Sequence, residues 1–238
     1  MTGSSTSAAP TEGPFAVAGI RNFGWVEPDL LARGEQPPLV EETFGELRAL
    51  GIGTVVSLRP DREPPPPVSR QIWTEYHVED ERELVERAGL RFRHAPMADF
   101  SAPAPDEVAA ALRVVDAAVA DAPAVYVHCR AGAGRAALVT GAWIVTRGRS
   151  GDRAAELYQR FMEYVFKAVP HAEWPANLHR VGQPHLWWAM REIVAALGSP
   201  VTSAPPFLLP PERPTGAEGW VQGYRDALRP WTIGRQLG

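Results

Sequence analysis

Val125–Ala136 reads VYVHCRAGAGRA and contains the single cysteine of the 238-residue chain. The β-branched and aromatic run Ala124–Val127 predicts a buried strand, and the apolar run Ala136–Ile144 predicts the start of a helix. The loop between them holds two glycines and two arginines. A strand, a glycine-containing loop and a helix N-terminus present backbone N–H groups to one concave, electropositive space. The stretch therefore predicts an anion-binding site.

Cys129 would be reactive in such a loop. The helix dipole and the guanidinium groups of Arg130 and Arg135 both favour the thiolate over the thiol, so we expect a nucleophile at neutral pH. Arg135 follows Cys129 by six positions (135 − 129 = 6). A loop that closes over this span places a bidentate donor opposite the sulfur. Together the two side chains would hold a tetrahedral oxyanion, with the sulfur beneath the phosphorus.

The loop resembles that of the cysteine-dependent protein tyrosine phosphatase superfamily. Its motif is His-Cys-x-x-Gly-x-x-Arg, usually followed by Ser or Thr; His128, Cys129, Gly132 and Arg135 match it, and Ala136 does not. The resemblance implies that Cys129 attacks phosphorus, that a phosphocysteine forms, and that water hydrolyses it. In the family the hydroxyl after the arginine helps the sulfur to leave. Ala136 therefore predicts slow turnover of the phosphoenzyme.

The remaining loop residues have supporting roles in this hypothesis. Their backbone amides would bind the phosphate, and His128 would orient the loop through hydrogen bonds instead of acting as an acid or base. The amide-bearing residues are Arg130, Ala131, Gly132, Ala133 and Gly134.

Asp99 is the candidate general acid, which must protonate the leaving oxygen. It lies thirty positions before Cys129 (129 − 99 = 30), in a proline-containing segment that predicts a loop. The small, atypical dual-specificity phosphatases carry a similar Asp-Phe-x-x-Pro-x-Pro segment at this distance. Asp106 is the alternative, but it is better interpreted as a first-turn acid on a helix that ends near Asp121.

The rest of the chain alternates predicted strands and helices. A strand pair around a turn at Pro28-Asp29 ends in an Arg-x-x-Gln-Pro pattern that bacterial and plant members of the resembled group also show. Further strands are predicted at 53–59 and 90–94, and helices at 43–50, 78–88, 150–167 and 186–197. This order, together with the resemblance, predicts an α/β fold: a central, mainly parallel sheet of about four to five strands flanked by helices, as in tyrosine and dual-specificity phosphatases.

Three segments are predicted. Residues 1–14 form a disordered tail, 15–197 the catalytic domain, and 198–238 a proline-rich extension packing on it. The net charge of −4 gives no nucleic-acid or membrane footprint, and no apolar run is long enough for a signal peptide or a span. One cysteine excludes an internal disulfide and fits a reducing compartment, so we expect a soluble, cytoplasmic protein.

A metal site is the alternative reading of one histidine-rich segment. His171, His179 and His185 surround Glu173, but their spacing matches no helical or zinc-finger pattern. We therefore expect neither metal nor cofactor.

The substrate class follows from the charge of the loop. Superfamily members that act on inositol polyphosphates tend to carry extra basic residues there, whereas this loop adds only Arg130. The resemblance thus favours a single phosphate, on tyrosine, serine or threonine of a protein or on a small metabolite. Two other functions stay open: a phosphate-binding protein with little turnover, as Ala136 suggests, and a rhodanese-like sulfur transferase, which needs no upstream acid.

Overall fold

A five-stranded sheet lies at the centre of the computed structural model, which describes residues 17–63, 76–99, 101–167, 184–203 and 211–233. The strands of this sheet are β1 (Gly24–Glu27), β2 (Leu31–Gly34), β3 (Ile52–Ser57), β6 (Arg91–His94) and β7 (Ala124–His128), and a separate ribbon pairs β4 (Arg62–Glu63) with β5 (Tyr76–His77). Their spatial order is β1-β2-β7-β3-β6; β1 is antiparallel to β2, and the other neighbours are parallel. The predicted mainly parallel sheet of four to five strands is confirmed.

Six helices were predicted from the sequence. Wherever the prediction gave a first or last residue, the structure agrees with it to within two residues. The six helices are α1 (Glu41–Ala49), α2 (Val78–Arg87), α3 (Pro105–Asp121), α4 (Arg135–Thr146), α5 (Gly151–Lys167) and α6 (Pro184–Ala196). Two short helices, α7 (Trp220–Ala227) and α8 (Arg229–Ile233), lie where the sequence predicted only a proline-rich extension. The tail 1–14 and the proline run 64–67 lie outside the described residues.

β7 is buried along its whole length because it lies between two parallel neighbours with helices on both faces. Helices α1 and α2 pack on one face around Phe44, Leu47 and Val85. The other face carries α3 to α6, and α4 is buried from Arg135 to Val145. The loop that follows β7 thus starts from the central, fully buried strand of the sheet.

The extension after α6 contacts the hydrophobic core on the face of the sheet that carries α3 to α6. Ala217, Tyr224 and Leu228 are fully buried in it. The Trp231 indole donates a hydrogen bond to Asp116 Oδ2 on α3 at 2.6 Å. Within the described ranges, no helix has the length and apolar character needed to cross a membrane.

Candidate active site

The loop between β7 and α4 lies directly against the end of β2. Gly132 has a φ of +70°, and a Cβ at this position would lie 2.3 Å from the carbonyl carbon of Gly34. Both the left-handed backbone and this close approach require glycine. The glycine of the motif is therefore needed to seat the loop on the sheet.

Three consecutive carbonyl groups of the loop accept hydrogen bonds from residues 22–36. The bonds run from Gln36 N to Arg130 O at 3.0 Å, from Asn22 Nδ2 to Ala131 O at 2.9 Å and from Arg33 Nη1 to Gly132 O at 2.7 Å. Since the C=O and N–H of a trans peptide point in opposite directions, the next amides along the loop face its concave side. The result is a cup of N–H groups of the kind that binds anions.

Arg135 is fixed on one side and open on the other. Its Nη1 donates to Met97 O at 3.0 Å and lies 3.1 Å from Glu63 Oε1, and the residue is 2% exposed. Neither Nε nor Nη2 makes a hydrogen bond within the described part of the chain. The Nε–Nη2 edge is open in the sense that no described group hydrogen-bonds to it. Asp99 Oδ2 lies 3.1 Å from Nη2, however, and would have to give way to an oxyanion that bound this edge with two oxygens.

Cys129 is a free thiol at the start of this loop and is 3% exposed. Burial opposes the charge of Arg135, but the negative charges of Cys129, Asp99 and Glu63 outweigh it and raise the pKa of the guanidinium. Cys129 and the guanidinium of Arg135 thus lie close enough to interact electrostatically in the same buried space.

Asp99 lies beside the open edge of Arg135. Its Oδ2 is 3.1 Å from Arg135 Nη2 and 3.6 Å from Arg130 Nε, and its side chain is 23% exposed. The alternative acid, Asp106, lies exposed in the first turn of α3. The structure therefore brings Asp99, and not Asp106, to the arginine.

Glu63 completes an arginine cluster that the sequence did not predict. Its carboxylate lies 2.5 Å from Arg59 Nε, 3.4 Å from Arg130 Nη2 and 3.1 Å from Arg135 Nη1. Burial raises the pKa of this carboxyl, but the three guanidinium groups outweigh the burial and lower it. Glu63 therefore stays ionised and compensates much of the charge of Arg59 and Arg130.

His128 is held by a buried network behind the loop. Its Nε2 lies 2.9 Å from Glu81 Oε1 and its Nδ1 lies 3.2 Å from the carbonyl oxygen of Cys129. Tyr76 OH and Gln36 Nε2 also donate to Glu81, at 2.7 and 3.0 Å. Oxygen atoms therefore face both ring nitrogens of His128. His128 lies beneath the loop and ties it to α2.

Ala136 occupies the first turn of α4, fully buried, with no hydroxyl to offer the sulfur. The Tyr158 hydroxyl is also buried and has no hydrogen-bond partner in the described ranges. Burial, and then the negative charge of Cys129, raise its pKa. A neutral hydroxyl is therefore present near Cys129, on a residue that the motif does not include.

Of the four residues of the alternative metal site, only His185 lies within the described part of the chain. His185 Nδ1 lies 2.9 Å from the carbonyl oxygen of Glu212, whereas His171, Glu173 and His179 lie outside the described residues. Elsewhere in the part of the chain that the structure describes, no group of three or more His, Cys, Asp or Glu is arranged to hold a metal ion.

The segment that carries this site also matches a known family. Residues 33–149 match the family model described as "Tc-R-P: Polymorphic toxin system, DSP-PTPase phosphatase". Residues 33–149, which carry the site, thus belong to the cysteine-based, dual-specificity-like phosphatases. The protein is a phosphatase enzyme of this type.

Solved structures are similar to this chain, and one of them, with a TM-score above 0.5, shares its fold. A DUF442 protein of Shewanella putrefaciens CN-32, described as a candidate phosphatase, is 22% identical, with a TM-score of 0.51 over 79% of this phosphatase and 98% of that chain. TpbA of P. aeruginosa is 25% identical over 58% of this chain and 72% of its own, with a TM-score of 0.43. The core catalytic domain of the PP-IP phosphatase SIW14 of S. cerevisiae is 20% identical over 59% and 75%, with a TM-score of 0.46.

Three residues that support the phosphatase site were not predicted from the sequence. Arg33 fixes the loop carbonyl of Gly132, Glu63 binds the arginines, and Glu81 pairs with His128. Arg33 was noted only as part of a strand-pair pattern. No local signal marks Glu63 or Glu81, since an acid beside a proline run or on a charged helix is usually solvated.

Glu81 gives this phosphatase a stability that depends on pH. Burial opposes its ionisation, but His128 and the other hydrogen-bond partners outweigh burial and lower its pKa. Such a carboxyl stabilises the fold above its unfolded pKa, and the contribution is lost as the pH falls through the folded value. We expect Glu81→Gln to lower the free energy of unfolding at pH 7 by about 3 to 5 kcal/mol, because it leaves His128 without its anion.

Urea unfolding at pH 7, 5 and 4 measures this effect, and the difference from wild type should shrink towards acid pH. Glu79→Gln is the matched control, since Glu79 lies on the same helix with its side chain 73% exposed. A constant difference at all three pH values would contradict the pairing.

Proposed function

We propose that the protein hydrolyses a phosphate monoester through a phosphocysteine intermediate, with a phosphorylated tyrosine, serine or threonine side chain of a protein as substrate. The supporting observation is the open Nε–Nη2 edge of Arg135 in one buried space with Cys129 and Asp99. A nucleophile, a bidentate oxyanion donor and a carboxyl group in one space are the parts that phosphoryl transfer needs.

In the first step the Cys129 thiolate forms a bond to phosphorus, and the bond from phosphorus to the leaving oxygen breaks. Asp99, protonated, gives its proton to that oxygen. Arg135 and the loop amides hold the three equatorial oxygens as their charge develops. The dianion competes with Asp99 for Arg135 Nη2 and places negative charge beside the carboxyl, which favours its acid form.

In the second step water attacks phosphorus and the S–P bond breaks. Asp99, now a carboxylate, takes a proton from the water, and inorganic phosphate and the thiolate are released. At position 136 no hydroxyl donates to the departing sulfur, so this step limits turnover.

The charge balance of the arginine cluster favours one phosphate. Glu63 already pairs with Arg59, Arg130 and Nη1 of Arg135, whereas the Nε–Nη2 edge of Arg135 carries no hydrogen bond and faces Asp99. A second phosphate beside the first would meet the buried carboxylate of Glu63. A small metabolite monophosphate satisfies the same balance and is the alternative substrate class.

A substrate panel tests the proposal. Phosphopeptides carrying phosphotyrosine, phosphoserine or phosphothreonine should give the highest kcat/KM, inositol polyphosphates the lowest, and sugar phosphates intermediate values. A sugar phosphate with a higher kcat/KM than every phosphopeptide would favour the alternative, a small metabolite substrate. The free thiol of Cys129 must stay reduced for this activity, which fits a cytoplasmic location.

Ala136→Ser is expected to raise the steady-state rate about tenfold by supplying the missing hydroxyl donor. Wild type should release a burst of p-nitrophenol equal to the enzyme concentration and then turn over slowly. In the serine variant the burst should merge into a faster steady state. Rapid-mixing absorbance measurements follow both phases.

Ala137→Ser is the control, because it buries a hydroxyl one residue further along α4, about 100° around the helix. It should give no gain. A linear progress curve for wild type at high enzyme concentration would argue against rate-limiting hydrolysis of the phosphoenzyme. A protein that binds phosphate without turnover, the reading that Ala136 also permits, would give at most the burst.

A further inference from the structure

The acid loop is pinned at both ends. Before Asp99, Met97 N donates to Leu58 O at 3.1 Å and Met97 O accepts from Arg135. After it, Pro103 O accepts a hydrogen bond from Tyr224 OH at 2.6 Å. The short stretch between Met97 and Pro103 therefore carries Asp99 between two fixed points.

The second fixed point comes from the C-terminal extension. Tyr224 is fully buried on α7, and Trp188 and Trp220 pack against its ring at centroid distances of 6.2 and 6.4 Å. Burial and the nearby carboxylates of Glu107 and Glu192 raise its pKa, so the hydroxyl remains a proton donor. Two indole rings thus hold the Tyr224 ring, and with it the donor hydroxyl, in place.

Gly223 brings α7 close to the start of α3, two residues after Pro103. A Cβ at this position would lie 2.7 Å from Pro105 Cγ. Pro105 begins α3, so the position of α7 sets where the loop ends and the helix starts. Two neighbouring residues of α7 therefore act at this point of the chain: Tyr224 donates a hydrogen bond to the end of the acid loop, and Gly223 packs closely on the start of α3.

We propose that Tyr224 is a positioning residue for the general acid Asp99, and that α7 belongs to the catalytic apparatus although it lies outside residues 33–149. Tyr224 acts through Asp99: its bond to Pro103 limits the places that the carboxyl can occupy relative to the leaving oxygen. This inference rests on the proposed role of Asp99.

The leaving group separates positioning from general structural support. A good leaving group such as 2,4-dinitrophenolate needs no proton, whereas phenolate does. Tyr224→Phe should lower kcat/KM for phenyl phosphate about tenfold and leave 2,4-dinitrophenyl phosphate within about twofold. Asp99→Asn should show the same selectivity with a larger loss, about 10² to 10⁴-fold for phenyl phosphate.

The double variant gives the sharper test. Because Tyr224 acts only through the acid, Tyr224→Phe should cost nothing further in the Asp99→Asn background. Gly223→Ala, which pushes α7 away from Pro105, should repeat the selectivity of Tyr224→Phe with the hydroxyl retained. Trp231→Phe is the control: it weakens the docking of the extension at Asp116 and should leave both substrates unchanged.

Equal losses on both substrates in Tyr224→Phe, or a full further loss in the double variant, would overturn the positioning role while Asp99 keeps its own selectivity. Equal losses on both substrates in Asp99→Asn itself would remove the proposed acid and this inference with it. Thermal unfolding of each variant confirms that folded proteins are compared.

Discussion

Cys129→Ser is expected to abolish turnover, with kcat falling about 10⁴-fold or more. A serine hydroxyl stays protonated in this loop, because the charge of Arg135 and the helix dipole that favour a thiolate cannot ionise an alcohol whose pKa is so much higher. Hydrolysis of p-nitrophenyl phosphate measures the loss. Phosphate binding should survive, since the loop amides and the open edge of Arg135 remain, and vanadate titration followed by tryptophan fluorescence would show this.

The single cysteine makes a second measurement specific. Iodoacetamide can alkylate no other thiol in the chain, so the mass of the intact protein reports Cys129 alone. Loss of activity should follow the modified fraction, and inorganic phosphate should slow both. Activity that persists after complete alkylation would place the chemistry on another residue.

Local patterns were enough to predict the five strands of the central sheet, helices α1 to α6 and the loop that carries Cys129. β7, the loop and α4 follow one another in the chain. Their hydrophobic periodicity and the glycines between them can be recognised within about a dozen residues. The same holds for Asp99, whose surrounding prolines mark a loop. The close approach of Gly132 to Gly34, in contrast, depends on strand order, which no local pattern contains.

The residues that the sequence did not predict act over long separations. Arg33 reaches the carbonyl of Gly132 across 99 positions, and Tyr224 reaches Pro103 across 121. Helices α7 and α8 are eight and five residues long, too short to be stable without tertiary contacts, so propensity gives them little signal. Tertiary packing decides these features, and the second anchor of the acid loop is one of them.

Arg135→Lys is expected to lower kcat/KM about 10² to 10³-fold, although the positive charge is kept. A lysine ammonium is a point donor and cannot bind two phosphate oxygens in one plane. It also cannot bond to Met97 O and Glu63 on one side while it presents a free edge on the other. Steady-state kinetics on p-nitrophenyl phosphate measure the loss, and competition by inorganic phosphate measures the accompanying loss of anion binding.

Arg147→Lys is the matched control for this substitution, because Arg147 caps the other end of α4 with its side chain 52% exposed and paired with Asp116. It should leave both measurements unchanged. A loss below about tenfold in Arg135→Lys would mean that charge alone suffices, and that the loop amides, and not the fork of Arg135, fix the phosphate. The anchoring of Nη1 by Met97 and Glu63 would then only compensate a buried charge. A loss in the expected range, with phosphate binding weakened in proportion, ties catalysis to the Nε–Nη2 edge of Arg135.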